Sequence, residues 1–404
     1  MQYIFPYAVP ATTSCASPPP PARLVIQPGS LLDAFATVQD PRRPQGVRFS
    51  LPSILALAVT AILSNHLSVL AIAEWGTRQQ ADSLRVLGFR DGVTPKQSTI
   101  QRLFAKLNLD SFSTALERYF GASSPVDGGR GSQGVAIDGK AQRGRLAFDP
   151  HDGPVHALGA FLHEKGIVIA QEPIEGQGTE KAEAELTVAP QLLKRVDWRG
   201  RVMTGDPLFC QRNLCQQVLD AGGDYLLMVK QNQPALYADI QLLFDPPTPS
   251  LPLDDRREAY TVDNGHGRHH DTRQLIASID LVGYSDWPGL AQVFRFERNW
   301  DERGEAKQEV QYGITSLPPS MADADRLLEL KRGHWQIENK LHYVKDVTLG
   351  EDRSLIHSGN GPSVMAMLRD ASLSLLHQVG CRAIASRLRY HSCHPEEAVA
   401  LLVA

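Results

Sequence analysis

The sequence contains few cysteines, no long apolar run and no excess of positive charge, and each absence argues against a class of protein. The five cysteines form no Cys-x-x-Cys pair, and an odd number argues against a disulfide framework, so we expect a reducing compartment. The longest apolar run, Leu51–Ser64, is shorter than the about 20 residues that span a bilayer, so no membrane association is expected. Because the net charge is −4, any contact with phosphates must come from local clusters of cations.

Length and composition are those of an ordinary globular protein with two or three domains. The chain has 404 residues, of which 42% are hydrophobic and 21% charged. Residues 1–29 are rich in Pro, Ser and Thr and lack the basic start and long apolar segment of a signal peptide. We therefore expect this segment to be a disordered arm.

Residues 30–122 show helical periodicity without strand alternation, which predicts an all-helical N-terminal domain. Leu31, Leu32 and Phe35 repeat at the spacing of one helix face. Further along, Ser98 is placed to cap a helix through Leu107. The residues around Ser98–Arg102 fit either a helix that contacts DNA or a solvated helix start.

After the Gly-rich segment 121–134 the pattern changes to strands and helices. The predicted order is strand, strand, strand, helix, strand, helix, strand, at 135–138, 155–162, 166–171, 182–194, 201–204, 211–221 and 225–229. Pro190 falls inside the first of these helices, so we expect a kink or break there. Three antiparallel strands followed by helix-linked parallel strands is the ribonuclease H-like order, which predicts an α/β fold with the first part of the core at 134–244. Another α/β layout would fit the same periodicity.

The remaining chain is predicted to complete this core. Strand-like segments indicate a β-rich insertion at 245–318, and residues 322–350 include the last core helix. Residues 351–404 are predicted to form C-terminal helices.

Two carboxylates are expected to meet at the ends of neighbouring strands. In the stretch GVAIDGKAQRGR, Asp138 follows a short apolar run, and Asp206 follows the predicted fourth strand. Active sites of open sheets lie at the carboxyl ends of strands. Two-metal phosphoryl transfer requires carboxylates that converge from different elements. For each Asp the alternative is a solvated residue in an ordinary turn.

A third carboxylate is expected from the last core helix. Lys331, His334, Glu338 and Lys345 fall on one face at α-helical spacing, apart from the apolar stripe that packs on the sheet. The alternative for Glu338 is a surface ion-pair ladder. Three other carboxylates are alternatives for this third position, namely Asp346, Glu351 and Asp352. Asp346 falls on another helical face, and Glu351 and Asp352 follow the predicted helix end.

Several polar side chains near these carboxylates are candidates for binding DNA phosphates. They are Lys140, Arg143, Arg145, Lys230, Gln233 and Lys345. Such contacts position DNA without reading its sequence, and the alternative for each is a solvated side chain. Trp335 falls on a different face, and we expect it in the core rather than stacked on a base.

The sequence resembles the DDE transposases of the ISAs-type, H-repeat-associated bacterial insertion sequences. The resemblance spans residues 30–380 and follows the family's order of motifs. These are D-x-R-R at Asp40–Arg43, IDGKAQRG at Ile137–Gly144, TGDPLFCQ at Thr204–Gln211, GGDYLLMVKQNQ at Gly222–Gln233, GHGRHHDTR at Gly265–Arg273, YGITSL at Tyr312–Leu317 and HWQIENKLHYVKDVTLGEDRS at His334–Ser354.

This resemblance implies a catalytic and metal-binding triad of Asp138, Asp206 and Glu338, with Mg²⁺ as the cofactor and Mn²⁺ as an alternative ion. The last helix is also similar to the wider Tyr-Arg-Glu-Lys motif, in which Glu338 and Lys345 match the last two members. Lys331 and His334 stand where that motif has Tyr and Arg, so the resemblance assigns them no role.

The resemblance implies a bacterial, cytoplasmic enzyme that acts at the nucleoid as a homodimer on double-stranded DNA, both element ends and target. It would cut one strand at each end and join the resulting 3′-hydroxyl to target DNA, with Lys345 against a terminal phosphate. The alternatives are a catalytically silent, domesticated DNA-binding protein and a structure-specific nuclease of the same fold.

Overall fold

The computed structural model describes residues 27–122, 132–142, 155–174, 181–247, 254–265, 268–302 and 304–404. Most of the predicted arm lies outside these ranges, and so do Arg143 and Arg145. The described chain is mixed α/β, with helices arranged around one large sheet. None of the helices in these ranges combines the length and hydropathy that crossing a bilayer requires.

Among the described residues, six helices precede the first strand. They are α1 (Leu31–Ala36), α2 (Leu51–Leu63), α3 (Val69–Thr77), α4 (Ala81–Val86), α5 (Gln97–Phe104) and α6 (Leu109–Ala122). The side chains of Ser30, Ser50 and Ser68 cap the first three by accepting a hydrogen bond from the backbone N–H three residues ahead. Ser98, the predicted cap, lies inside α5 instead, because that helix begins one residue earlier.

Nine strands in the described ranges form a single sheet. They are β1 (Gln133–Gln142), β2 (Val155–Leu162), β3 (Ile167–Ile174), β4 (Arg201–Gly205), β5 (Asp224–Val229), β6 (Arg257–Gly265), β7 (Arg268–Ser278), β8 (Gln292–Glu302) and β9 (Glu305–Thr315). Their order across the sheet is β3-β2-β1-β4-β5-β9-β8-β7-β6. The first three strands are antiparallel, and β4 lies between β1 and β5 and is parallel to both. This arrangement agrees with the strand order that the sequence predicts for the first five strands.

The four strands of the predicted insertion extend this sheet. Strand β9 pairs antiparallel with β5, from Leu226 opposite Thr315 to Val229 opposite Tyr312. Strands β8, β7 and β6 then follow outward as antiparallel neighbours. The β-rich segment is therefore hydrogen-bonded to the parallel strands that lead to the candidate site.

Seven further helices follow β3 in the described part of the chain, of which the last two pack on other helices rather than on the sheet. They are α7 (Lys181–Arg195), α8 (Arg212–Asp220), α9 (Pro234–Phe244), α10 (Ala324–His334), α11 (Gly361–Gln378), α12 (Ile384–Cys393) and α13 (Pro395–Val403). Helix α7 continues through Pro190, so the predicted break does not occur. Helix α11 packs on α2 and on β3, and one continuous hydrophobic core joins the N-terminal helices, the sheet and the C-terminal helices.

The last core helix changes its pitch after α10. Two π-helical turns follow, at Ile337–His342 and Val344–Thr348. Their hydrogen bonds join residues five apart, so one turn holds more residues than an α-helical turn. The single face predicted from α-helical spacing is therefore not formed, because Glu338 is exposed whereas Lys345 is buried.

Candidate functional site

Asp138 and Asp206 each come directly after one residue of a facing pair on the parallel strands β1 and β4. Ile137 on β1 pairs with Gly205 on β4, so the next residue on each chain is an aspartate. Strand β4 ends at Gly205, but β1 continues to Gln142 against β2, so the prediction that Asp138 ends its strand is wrong. Asp138 lies where β1 loses its parallel neighbour, which leaves room for another element to approach from the helix layer.

Glu338 and His342 provide that approach from the first π-helical segment. One ligand atom each of Asp138, Glu338 and His342 lies within 4.8 Å of the other two. The Nδ1 atom of His342 is 3.1 Å from Oε2 of Glu338 and 3.4 Å from Oδ2 of Asp138. His342 is buried between an exposed and a half-buried carboxylate. Sequence reasoning missed this histidine, although its spacing of four residues from Glu338 is a recognisable signal.

Asp206 has a different histidine as its nearest partner. The Nε2 atom of His334 on α10 is 3.6 Å from Oδ1 of Asp206, whose side chain is 67% exposed. The Nδ1 atom of the same ring is 3.3 Å from the hydroxyl of Thr204, and that hydroxyl is 2.9 Å from Nε2 of the buried His163. A polar chain thus runs from the sheet interior to Asp206. This aspartate is not part of the compact group formed by Asp138, Glu338 and His342.

The two aspartates have opposite shifts in pKa. Burial raises the pKa of Asp138, and the negative charge of Asp206 raises it further, against the opposing effect of His342. Contact with His334 lowers the pKa of Asp206, and the charges of Lys230 and Lys331 act in the same direction. Asp206 therefore stays ionised more readily, while Asp138 is a carboxylate whose charge a nearby cation would stabilise.

The predicted phosphate-binding residues lie in different surroundings. Lys140 forms an ion pair with Asp346, one of the carboxylates considered as a third ligand. Gln233 donates a hydrogen bond from Nε2 to the carbonyl of Cys210. Lys230 is exposed and lines a cleft with Asp206. A phosphate contact stays a prediction for each, and Lys230 is the most accessible of these three.

Lys345 is buried among charged groups of the core. Its Nζ atom is 2.8 Å from Oδ1 of Asp370 and 3.4 Å from Oε2 of Glu351. Arg369 completes this cluster, 3.4 Å from Oε1 of Glu351. The structure therefore corrects the expected position of Lys345, since in this conformation two carboxylates hold the amine and the π-helical turns direct it inward.

Two aromatic side chains close to Glu338 in sequence are exposed. Trp335 is 59% exposed and Tyr343 is 58% exposed. The expectation that Trp335 belongs to the core is wrong, because α10 ends beside it and the chain enters the π-helical turns. An exposed tryptophan at this position is available to whatever occupies the site.

A cavity of about 370 Å³ adjoins the carboxylates on the side of the N-terminal helices. Asp138, Lys140 and His342 form part of its wall, and Asn108 and Asp110, at the start of α6, form another part. The site is therefore continuous with a space that reaches the helical region.

Comparison with known proteins identifies the family. Residues 32–120 match the family model described as DDE_Tnp_1-associated, and residues 131–375 match the model described as Transposase DDE domain. Among solved structures, a piggyBac transposase synaptic complex with hairpin DNA has 12% sequence identity and a TM-score of 0.40, covering 92% of this chain and 77% of that chain.

Curated relatives extend over nearly the whole chain. "Putative transposase YncI" of Escherichia coli O157:H7 is 26% identical over 382 residues, which are 92% of this chain and 94% of the relative. "H repeat-associated putative transposase YhhI" of Escherichia coli (strain K12) is 26% identical and covers 86% of this chain and 90% of its own length. "Uncharacterized protein in dhlA 3'region" of Xanthobacter autotrophicus is 30% identical and covers 70% and 92%. Since the transposase domain matches more than half of the sequence, the chain belongs to the DDE transposase family.

Proposed function

We propose that this protein cuts DNA at the ends of an insertion sequence and joins the new ends to target DNA. The observation that supports this proposal is the convergence of Asp138 and Glu338, 200 positions apart in sequence, beside His342 and next to Asp206. Few structural roles bring such groups together at the surface of a sheet, whereas phosphoryl transfer requires them.

The donor set fits a divalent cation. Carboxylate oxygens of Asp138 and Glu338 are hard ligands of the type that Mg²⁺ and Mn²⁺ prefer, and His342 adds an imidazole nitrogen. We propose Mg²⁺ as the physiological ion and Mn²⁺ as a substitute, with Asp206 as a further ligand in a two-metal site. When bound, such ions stabilise the charge on the phosphoryl group and lower the pKa of water.

The chain itself supplies position and charge. Asp138, held on a paired strand, fixes one side of the site, and Glu338 approaches from the first π-helical turn. His334 contacts the carboxylate of Asp206, lowers its pKa and so keeps it ionised and oriented. Lys230 and the exposed Trp335 line the cleft beside Asp206, where they can hold the DNA strand.

The proposed reaction has two displacements at phosphorus. Water attacks the phosphate at the element end, the P–O3′ bond breaks, and the 3′-oxygen leaves with a proton as a hydroxyl on the element. That hydroxyl then attacks a phosphate of the target strand and displaces the 3′-oxygen there. Positioning and electrostatic stabilisation are sufficient, so no covalent enzyme intermediate is required.

We also propose the fold assignment and assembly that go with this function. The order β3-β2-β1-β4-β5 supports a ribonuclease H-like core, with its first part at 134–244, strands of 245–318 extending it and Glu338 in the helical segment 322–350. In this proposal residues 30–122 serve DNA binding, 351–404 support the core, and two copies pair the two element ends.

The test is metal-dependent cleavage by the purified protein. A labelled duplex that carries the DNA flanking the gene is incubated with Mg²⁺, and cut and joined products are separated. Asp138→Asn and Glu338→Gln are expected to cut roughly 1000-fold more slowly, because each removes a ligand worth several kcal/mol of transition-state stabilisation. Glu329→Gln, an exposed change on α10, is the matched control.

The outcomes separate the alternatives. If Asp138→Asn cuts as fast as the parent, the site is wrongly assigned. Cleavage without joining would support a structure-specific nuclease. Metal-independent DNA binding without any cleavage by the parent would support the catalytically silent DNA-binding protein.

A further inference from the structure

The N-terminal helices carry a groove lined by cations, which we name the basic groove. It lies between the loop 41–49 and helix α5, with a volume of about 810 Å³. Six cations contribute to its lining, and the lining includes no Asp or Glu. They are Arg42, Arg43, Arg48, Lys96, Arg102 and Lys106.

Three of these six cations contact other groups of the protein. Arg42 donates two hydrogen bonds to the carboxylate of Asp40 and one to the carbonyl of Phe49, so it closes the loop. Arg102 donates from Nε to the carbonyl of Ser98. The guanidinium of Arg48 lies 5.2 Å from the ring centre of Phe49. These three cations are held in position by the fold.

The other three cations are exposed on the groove. Arg43, Lys96 and Lys106 form no ion pair with any carboxylate in the described part of the chain. Lys96, Thr99, Arg102 and Lys106 follow the spacing of one helical face along α5 and its end. Over this length the helix rises by about 15 Å, a distance along which one DNA strand presents roughly four phosphates.

The distribution of charge distinguishes this region from the whole protein. Residues 27–122 contain ten Lys and Arg against seven Asp and Glu, a net charge of +3, whereas the whole chain has −4. Because a Debye length is about 8 Å at physiological salt, local charge decides what this surface attracts.

The basic groove and the cavity beside the candidate site are lined by neighbouring residues of the chain. Lys106 lines the groove, and Asn108, two residues later, lines the cavity that also contacts Asp138. This junction is fixed by Asn360, whose side chain donates to the carbonyl of Leu107 and whose N–H donates to the carbonyl of Ala105. The lining of the groove and the lining of the cavity are therefore two residues apart in the chain, at a junction that these hydrogen bonds hold.

We propose that the basic groove binds the phosphate backbone of duplex DNA next to the bond that is cut. This inference rests on the proposed function, since it takes DNA as the substrate, and it assigns the contact surface. Cations that face phosphates hold DNA irrespective of sequence, so the groove sets affinity and register rather than recognition of particular bases. An acidic protein is the competing type of partner, and the test includes it as an outcome.

The experiment measures DNA binding by the full-length protein in EDTA, where cleavage does not interfere. The groove variant carries Arg43→Gln, Lys96→Gln and Lys106→Gln. The control variant carries Arg78→Gln, Arg85→Gln and Arg90→Gln, which remove the same charge from exposed residues of the same helical region outside the groove. Affinity for a short labelled duplex is determined over a series of salt concentrations.

The groove variant is expected to bind DNA more weakly by on the order of tenfold per lost contact near 0.1 M salt. The slope of log affinity against log salt should fall by about 3, roughly one per contact. The control variant should bind like the parent. A charge-preserving variant with Arg43→Lys, Lys96→Arg and Lys106→Arg should retain binding, which separates lost charge from lost folding.

An unchanged affinity and slope in the groove variant would overturn the inference and leave an acidic protein as the partner of the groove. Equal weakening by the groove and control variants would also overturn it, because net charge would then be the cause. Cleavage by the parent is scored separately with Mg²⁺. If the parent cuts DNA and the groove variant still binds DNA normally, only the assignment of the groove is refuted. If the parent binds DNA through the groove but does not cut it, only the proposed function is refuted.

Discussion

His342 is the residue on which the geometry of the candidate site depends most. It is buried, and its ring lies between Asp138 and Glu338, which approach from a strand and a helix. Unless a positive charge or a metal ion lies beside them, two ionised carboxylates this close together repel each other. The imidazole therefore either shares a cation with them or holds them in place until a cation binds.

Replacing His342 by alanine is expected to weaken binding of Mn²⁺ by roughly 10- to 100-fold, the range for loss of a ligand-orienting partner. Binding is measured by electron paramagnetic resonance of free Mn²⁺. The control is His357→Ala, which changes an exposed histidine beyond the π-helical turns. Equal Mn²⁺ affinity in His342→Ala and the parent would show that the ring has no part in the site.

His163 makes the stability of the fold depend on pH. Burial lowers the pKa of this histidine from 6.5 to about 3, and the neighbouring charges of His334 and Arg326 act in the same direction. Below pH 6.5 the unfolded chain takes up a proton that the folded chain does not accept until about pH 3. The free energy of unfolding should therefore fall with falling pH, by about 1.4 kcal/mol per pH unit from this group.

Urea unfolding between neutral pH and pH 5 measures this dependence. His163→Gln retains a hydrogen-bonding side chain beside Thr204 without a titrating ring, so its stability should fall less steeply over the same interval. Parallel curves for parent and variant would contradict the assignment of a neutral buried imidazole.

At the scale of elements, the sequence predicted the strands and the extent of the last helical segment, but not its change of pitch after α10. The register that puts Asp206 beside Asp138 follows from parallel β1 and β4, which apolar runs and their turns reveal. Hydrophobic periodicity did not reveal the π-helical turns, because it assumes about 3.6 residues per turn. A wider turn at Ile337 changes the face on which every later residue of the segment lies. Lys345 therefore faces the core rather than DNA, and His342 rather than Lys345 accompanies Glu338.

Helix α10 approaches the sheet closely enough to need a glycine. A Cβ atom on Gly333 would lie 2.3 Å from Nδ1 of His163, and one on Gly134 would lie 2.2 Å from the same atom. Glycine inside a helix costs about 1 kcal/mol relative to alanine, so its presence here indicates a packing requirement. This contact places His334, the next residue, beside Thr204 and Asp206.

Gly333→Ala is expected to destabilise the protein by about 1–3 kcal/mol through overpacking, despite the better helix propensity of alanine. In a His163→Ala background the obstacle is absent, so the same change should be neutral or stabilising by up to about 1 kcal/mol. The difference between the two backgrounds in urea unfolding measures the contact. Equal effects in both would show that Gly333 is not constrained by His163.

At the scale of the whole molecule, segments that the sequence separates share one framework. The predicted insertion continues the core sheet through β9, and the N-terminal helices share their apolar core with α11 and α13. Arg195 on α7 links these layers by ion pairs to Asp110 and Glu117 of α6 and to Glu172 of β3. Surface substitutions, rather than deletion of residues 30–122, are therefore the appropriate test of DNA binding.

The most direct measurement of the central claim is a crystal structure of the protein soaked with Mn²⁺, with anomalous scattering used to locate the ion. We expect an anomalous peak bounded by the carboxylates of Asp138 and Glu338, with His342 alongside, and its loss in Asp138→Asn crystals. A peak elsewhere with nothing between Asp138 and Glu338, or a peak that persists in Asp138→Asn, would contradict the proposed metal site.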